Sequence, residues 1–203
     1  MQNKSITLLE IEDAWVQLKA AYGVEIAVKY LKENPDNHRA MLFLSYFYVH
    51  LRKFGEALSI IKKVIRLHQK DKGELAKAYI AMGFLYQEKG NYKVAERWYR
   101  KALKMGPDNP AHYQYVGEAL SLQGDFSEAE KYFNAVLNME TTAVKEQAYY
   151  ELGFIRKTQG KYKEALFLYD KAAELGVDKE CVDEERVDVK DAIKVTERAG
   201  NRK

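Results

Sequence analysis

Residues 76–109, AKAYIAMGFLYQEKGNYKVAERWYRKALKMGPDN, decide the fold, because residues 110–143, PAHYQYVGEALSLQGDFSEAEKYFNAVLNMETTA, repeat their pattern. Gly83 falls on Gly117, Gly90 on Gly124, Tyr92 on Phe126, Ala95 on Ala129 and Trp98-Tyr99 on Tyr132-Phe133, at a constant offset of 34 residues. A third copy begins at Glu146, two residues late, with Gly153, Gly160, Tyr162, Ala165, Tyr169 and Ala172 in the same places. A fourth starts upstream at His38 and carries Ser45, Phe54, Ala57, Ile61 and Val64, followed by a four-residue insertion. Repetition at this period means small units that bury their apolar faces only by stacking on neighbours.

Each copy reads as two helices. Tyr79, Met82, Gly83 and Tyr86 stand at i, i+3, i+4 and i+7, one apolar helical face. Glycine on such a face lowers helix propensity, so Gly83, Gly117 and Gly153 imply close approach of a partner helix. Ala95 and Ala102 give the second helix the same small surface. Gly90, Gly124 and Gly160 end the first helices in left-handed caps. Pro107 and Pro110 fall between helices, where proline is tolerated. The patterning predicts helices near 7–21, 24–33, 37–51, 54–70, 73–89, 92–105, 109–123, 126–139, 143–159, 162–175 and 182–198. The last has Val182, Val189, Ala192, Ile193 and Thr196 on one face and charges on the other, the form of a cap on a raw repeat end.

Composition agrees with a helical array. Apolar residues make up 47% and charged residues 31% of 203, and only three prolines interrupt the chain, leaving room for long helices. With 33 basic and 30 acidic residues mixed along the sequence, the net charge is +3, which predicts no broad positive field and no nucleic-acid partner. A lone Cys181 forms no internal disulfide. No stretch reads as a signal peptide or membrane span, so a cytoplasmic protein without membrane contact is expected. The four histidines lack ligand spacing, and no phosphate loop or nucleophile elbow is present, so neither metal, cofactor nor catalysis is expected.

The repeat resembles the tetratricopeptide repeat. Tyr79, Met82-Gly83, Tyr86, Ala95, Tyr99, Ala102 and Pro107 stand where that family places its large residue, Leu-Gly, Tyr, Ala, aromatic, Ala and Pro. The resemblance covers residues 38–177, with a worn half-copy before it marked by Trp15, Leu18, Ala27 and Leu31. It implies one all-α domain over 1–203, a right-handed superhelical solenoid of antiparallel helix pairs. Its parts are a degenerate pair at 7–34, repeats at 38–71, 76–109, 110–143 and 146–179, and a capping helix at 182–198.

The resemblance also implies a function, the holding of another polypeptide in a concave groove lined by the first helix of each repeat. The second, fifth and ninth positions of each copy, with the twelfth and thirteenth, face inward in the family. A groove for an amphipathic helix or apolar peptide is thus expected from Leu42, Tyr46, Ile80, Phe84, Gln114, Tyr150 and Phe154, with Arg39, Lys77 and Lys157 as rim charges. The family's subset that clamps chaperone-tail carboxylates uses Lys, Asn and Arg where this chain has Leu42, Tyr46, Ile80 and Phe84, so that partner class is not expected. The opposing reading packs these side chains against one another or under the last helix. Two further functions stay open, a regulatory repeat domain of an enzyme complex and an RNA-reading repeat protein. A monomer is expected, with a dimer permitted.

Overall fold

The computed structural model describes residues 6–142 and 144–200. Among them are eleven helices, α1 Leu8–Val16, α2 Ala20–Glu33, α3 His38–His50, α4 Phe54–Leu67, α5 Lys72–Glu88, α6 Tyr92–Met105, α7 Pro110–Leu122, α8 Phe126–Leu137, α9 Lys145–Thr158, α10 Tyr162–Leu175 and α11 Lys179–Gly200. No strand occurs among the described residues. They form two compact units, Met1–Gly106 with α1–α6 and Pro107–Lys203 with α7–α11.

Local chemistry starts the helices where they start. Thr7 and Glu10 form a reciprocal capping box on α1, and Asn37, Asp71, Asn109 and Asp125 each accept a backbone N–H of the first turn that follows. Pro110 opens α7, where its missing N–H leaves nothing unpaired.

Packing then pairs the helices. A side chain on Gly83 would meet the Tyr99 ring at 2.2 Å, one on Gly117 the Phe133 ring at 2.7 Å, and one on Gly153 the Tyr169 ring at 2.8 Å. In each hairpin an aromatic ring sixteen residues on fills the space the glycine leaves. Two further positions, seven apart, recur as buried residues in α3, α5, α7 and α9, Ala40 and Phe47, Ala78 and Leu85, His112 and Ala119, Ala148 and Ile155. Their continuation is Val182 and Val189 in α11, both fully buried. α11 therefore sits in the register of a first helix of one more repeat and lies across the final hairpin, mainly on α10.

The hairpin turns repeat as well. Gly90, Gly124 and Gly160 adopt φ of +75°, +80° and +73°, the expected left-handed caps. The equivalent places in the two earlier hairpins hold Leu18 at φ +53° and Arg52 at φ +57°. Leu18 explains a difference from the sequence reading, which runs the first helix to residue 21 and starts the second at 24. The chain instead turns at 17–19, and Gly23 lies inside α2, where the Phe47 ring takes its Cβ space at 2.4 Å. Glycine there serves packing, not a turn. α4 also ends at Leu67, short of residue 70, and α11 begins at Lys179, before residue 182, with the Asp178 side chain accepting from the Cys181 N–H. The expected start of the ninth helix, Ala143, lies outside the described residues.

A non-glycine residue in the left-handed region costs about 1–2 kcal/mol. Leu18→Gly and Arg52→Gly should therefore each raise stability, by roughly 0.5–1 kcal/mol once glycine's extra unfolded-state freedom is subtracted. Thermal melts of the two variants check this. An unchanged or lower midpoint would show that these turns are not strained.

Candidate functional site

In unit 1, α3 packs on both α1 and α5, so three first-position helices form one wall. Their sequences place large rings at facing positions. Trp15 from α1 lies 5.2 Å from Tyr46 and 4.9 Å from His50 of α3, and 6.1 Å from Phe84 of α5. Tyr46 and Phe84 meet edge to face at 5.6 Å, and His50 lies 5.8 Å from Phe84. Trp15, Tyr46 and Phe84 are half-buried, His50 is exposed, and Ile80 is half-buried on α5. Charged side chains flank them. Arg39 pairs with Glu12 at 2.8 Å, while Glu74 lies 2.8 Å from both Lys77 Nζ and His38 Nε2.

Of the residues expected on this wall, Tyr46 and Phe84 are thus together, with Arg39 and Lys77 at the edge, their side chains 59% and 57% exposed. Leu42 is a correction. It is 5% exposed and belongs to the core with Met41, Val49 and Ile61, because α4 and α5 close over that face of α3. Trp15 was not among the expected groove residues. The signal was available, since continuing the register 34 residues back from His38 puts Trp15 at the twelfth, inward position, and Glu12 at the ninth.

Unit 2 carries different chemistry at the same positions. Gln114 donates to Glu118 at 2.7 Å along α7, and Gln147 to Glu151 at 3.0 Å along α9. Burial raises the Glu118 pKa to about 7, opposed by the Gln114 hydrogen bond and reinforced by the charge of Glu151. Burial likewise raises Glu151. Phe154, 36% exposed, packs edge to face on Phe126 at 6.3 Å.

α11 takes two of the remaining expected groove residues. Lys157 donates to Glu185 at 2.7 Å and to Asp188 at 3.1 Å, and the Tyr150 hydroxyl lies 3.3 Å from Cys181 Sγ with its ring 5.6 Å from Tyr169. The Tyr169 hydroxyl also donates to Glu185 at 3.0 Å, and Arg186 binds Asp170 and Asp183. Desolvation would lower the Lys157 pKa, but its two carboxylate partners outweigh that and raise it. Tyr150 and Lys157 are therefore held inside the chain and do not join an open surface. No group of three or more possible metal ligands, and no helix long and apolar enough to cross a membrane, occurs among the described residues.

Three family models described as tetratricopeptide repeat match residues 37–108, 80–143 and 146–175. In sequence the chain is similar to two human proteins, Protein O-mannosyl-transferase TMTC2, 34% identical over 126 residues, and Protein O-mannosyl-transferase TMTC1, 28% identical over 139. Those matches cover 58% and 68% of this chain but only 14% and 15% of the relatives. In structure it is similar to a tetratricopeptide repeat protein from Parabacteroides merdae, with TM-score 0.79 and 21% identity over 93% of this chain and 72% of that one. It is also similar to TTC0263, a thermophilic TPR protein of Thermus thermophilus, with TM-score 0.69 and 21% identity over 92% and 96% of the two chains. A third likeness is to YrrB, described as a TPR protein with an unusual peptide-binding site, with TM-score 0.56 and 17% identity over 85% and 86%. At these identities the structural likenesses speak for the fold alone.

Proposed function

This chain belongs to the tetratricopeptide-repeat family, whose fold serves protein–protein interaction, and we propose that it holds an apolar segment of another polypeptide on the α1–α3–α5 wall of unit 1. The observation that carries the reading is the convergence of Trp15, Tyr46 and Phe84, from three helices, as half-exposed rings within about one ring diameter of each other. Aromatic groups left partly exposed are the usual anchors of a binding surface. Their geometry is pre-formed by the helix packing, so little side-chain freedom is lost on binding. Arg39 with Glu12, and Lys77 with Glu74, place charges of both signs beside the rings, which suits a segment of mixed rim charge. The work is adaptor-like and non-enzymatic. The mannosyl-transferase likeness falls within the repeats and covers about a seventh of those proteins.

Peptides selected from a random display library against the intact chain should be rich in Leu, Ile, Met and Phe. Their binding should shift the emission of Trp15, read in a Trp98→Phe background. Phe84→Glu should weaken them by about 2 kcal/mol, roughly 30-fold, with the thermal midpoint within a few degrees of the parent. Peptides that bind Phe84→Glu and the parent equally would overturn the reading.

A further inference from the structure

The balanced net charge conceals a division at the boundary of the two units. Residues 1–106 hold 19 basic and 11 acidic side chains, a net +8, whereas residues 107–203 hold 14 and 19, a net −5. Both signs are mixed along the sequence, but not in equal numbers in its two halves.

In unit 1 the positive charge gathers on the outer face of α4. Ser59, Lys62, Lys63 and Arg66 follow one another at i, i+3, i+4 and i+7, and the three cations are exposed without an ion-pair partner among the described residues. Beside them opens a crevice of about 200 Å³ lined by Leu31, Pro35, Met41, Leu44 and Ile60, with Lys63 at its lip. In unit 2 the counterpart is α11. Its buried face holds Val182 and Val189, and its outward stripe reads Glu180, Glu184, Val187, Asp191 and Val195. Val187 is 57% and Val195 65% exposed. Asp183 and Asp188 are already engaged by Arg186 and Lys157, and Asp191 by Lys194, but Glu180 and Glu184 have no cation partner among the described residues.

We propose that α11 of one copy docks on the α4 face of a second copy, with Glu180 and Glu184 against Lys62, Lys63 and Arg66 and an exposed valine seated in the crevice. Opposite charges steer the encounter and set its register, and the valine adds apolar burial that isolated surface ion pairs lack. The two faces differ, so the contact is heterologous and leaves one of each unused at the ends, which permits growth beyond a dimer. This surface is distinct from the aromatic wall, and its failure leaves the binding reading untouched.

At low salt the mean mass should rise above the 23.5 kDa monomer with concentration, without stopping at the dimer, and fall back at roughly 0.5 M salt. The triple variant Lys62→Glu, Lys63→Glu, Arg66→Glu and the double variant Glu180→Lys, Glu184→Lys should each be monomeric alone, with unchanged circular dichroism. Mixed, their charges are opposite again at both kinds of contact, α11 of each on α4 of the other, so assembly should return. A parent that is monomeric at every concentration, assembly that persists in either variant alone, or a mixture of the two that stays monomeric overturns the proposal.

Discussion

Gly83→Ala is expected to destabilise unit 1 by about 2 kcal/mol, although alanine is the better helix former. The new Cβ would stand 2.2 Å from Tyr99 Cε1 and 2.4 Å from Cδ1, far inside contact distance. Tyr99 has nowhere to go. It is fully buried, and its hydroxyl donates to Gln87 Oε1 at 3.2 Å. Overpacking of this kind costs about 1–3 kcal/mol or more, and alanine's propensity gain of about 1 kcal/mol offsets only part of it. The same substitution at Gly117 and Gly153 should cost less, since the rings there lie at 2.7 and 2.8 Å. At exposed Gly55 in α4, with nothing within 4 Å, it should stabilise by about 0.5 kcal/mol. Chemical denaturation of the four variants checks the order. Adding Tyr99→Leu to Gly83→Ala should recover part of the loss, a coupling that a double-mutant cycle measures. Equal effects at Gly83 and Gly55 would mean the hairpins are not in close contact.

The second large effect concerns pH. Glu118 is raised from 4.5 to about 7 in the folded chain, so the native state keeps a proton that the unfolded chain releases earlier. Unfolding is then favoured as pH rises, and stability falls between about 4.5 and 7. A shift of this size corresponds to at most about 3 kcal/mol. Partial exposure of Glu118 reduces the expectation to about 2 kcal/mol. Tyr115, Gln114 and Glu151 face the same group. Glu118→Gln removes the ionisation and can still accept from Gln114. The parent's thermal midpoint should drop on the order of 10 °C from pH 5 to pH 8, and the variant should show a much flatter profile and greater stability at pH 8. A parent whose midpoint is flat over that range would refute the assignment.

Much of the fold was legible because its key contacts are periodic. The glycine and the ring sixteen residues later recur three times, and so do the cap glycines, so in-phase agreement identified them. The first hairpin was misread for the same reason. Its turn residue is Leu18, and its glycine, Gly23, does a different job, so a reader looking for glycine turns puts the break too late. The candidate site was only partly legible. Periodicity reports which way a helix residue faces, and it correctly brought Tyr46 and Phe84 to one wall. It cannot report what the neighbouring helices cover. Leu42 shares that periodicity but is closed over by α4 and α5, and Lys157 and Tyr150 were claimed by a helix whose register the sequence pattern did not reveal. Glu118 and Glu151 fall outside any repeat consensus, since their shifted ionisation arises from burial between two copies.

α11 also shows how an open repeat face is closed. Where α5 presents Ala81 and Met82 to the preceding hairpin, α11 presents Glu185 and Arg186 at the equivalent positions, and these bind Lys157, Tyr169 and Asp170. The closure is written in side-chain chemistry, not in backbone shape. α11 already occupies the slot a further module would fill, and exposed Val187 marks the place a new partner helix would cover. A partner helix packed there as in the other hairpins would meet Val187 where Gly83, Gly117 and Gly153 make room for a ring, so extension of the array calls for Val187→Gly as well as the added helix.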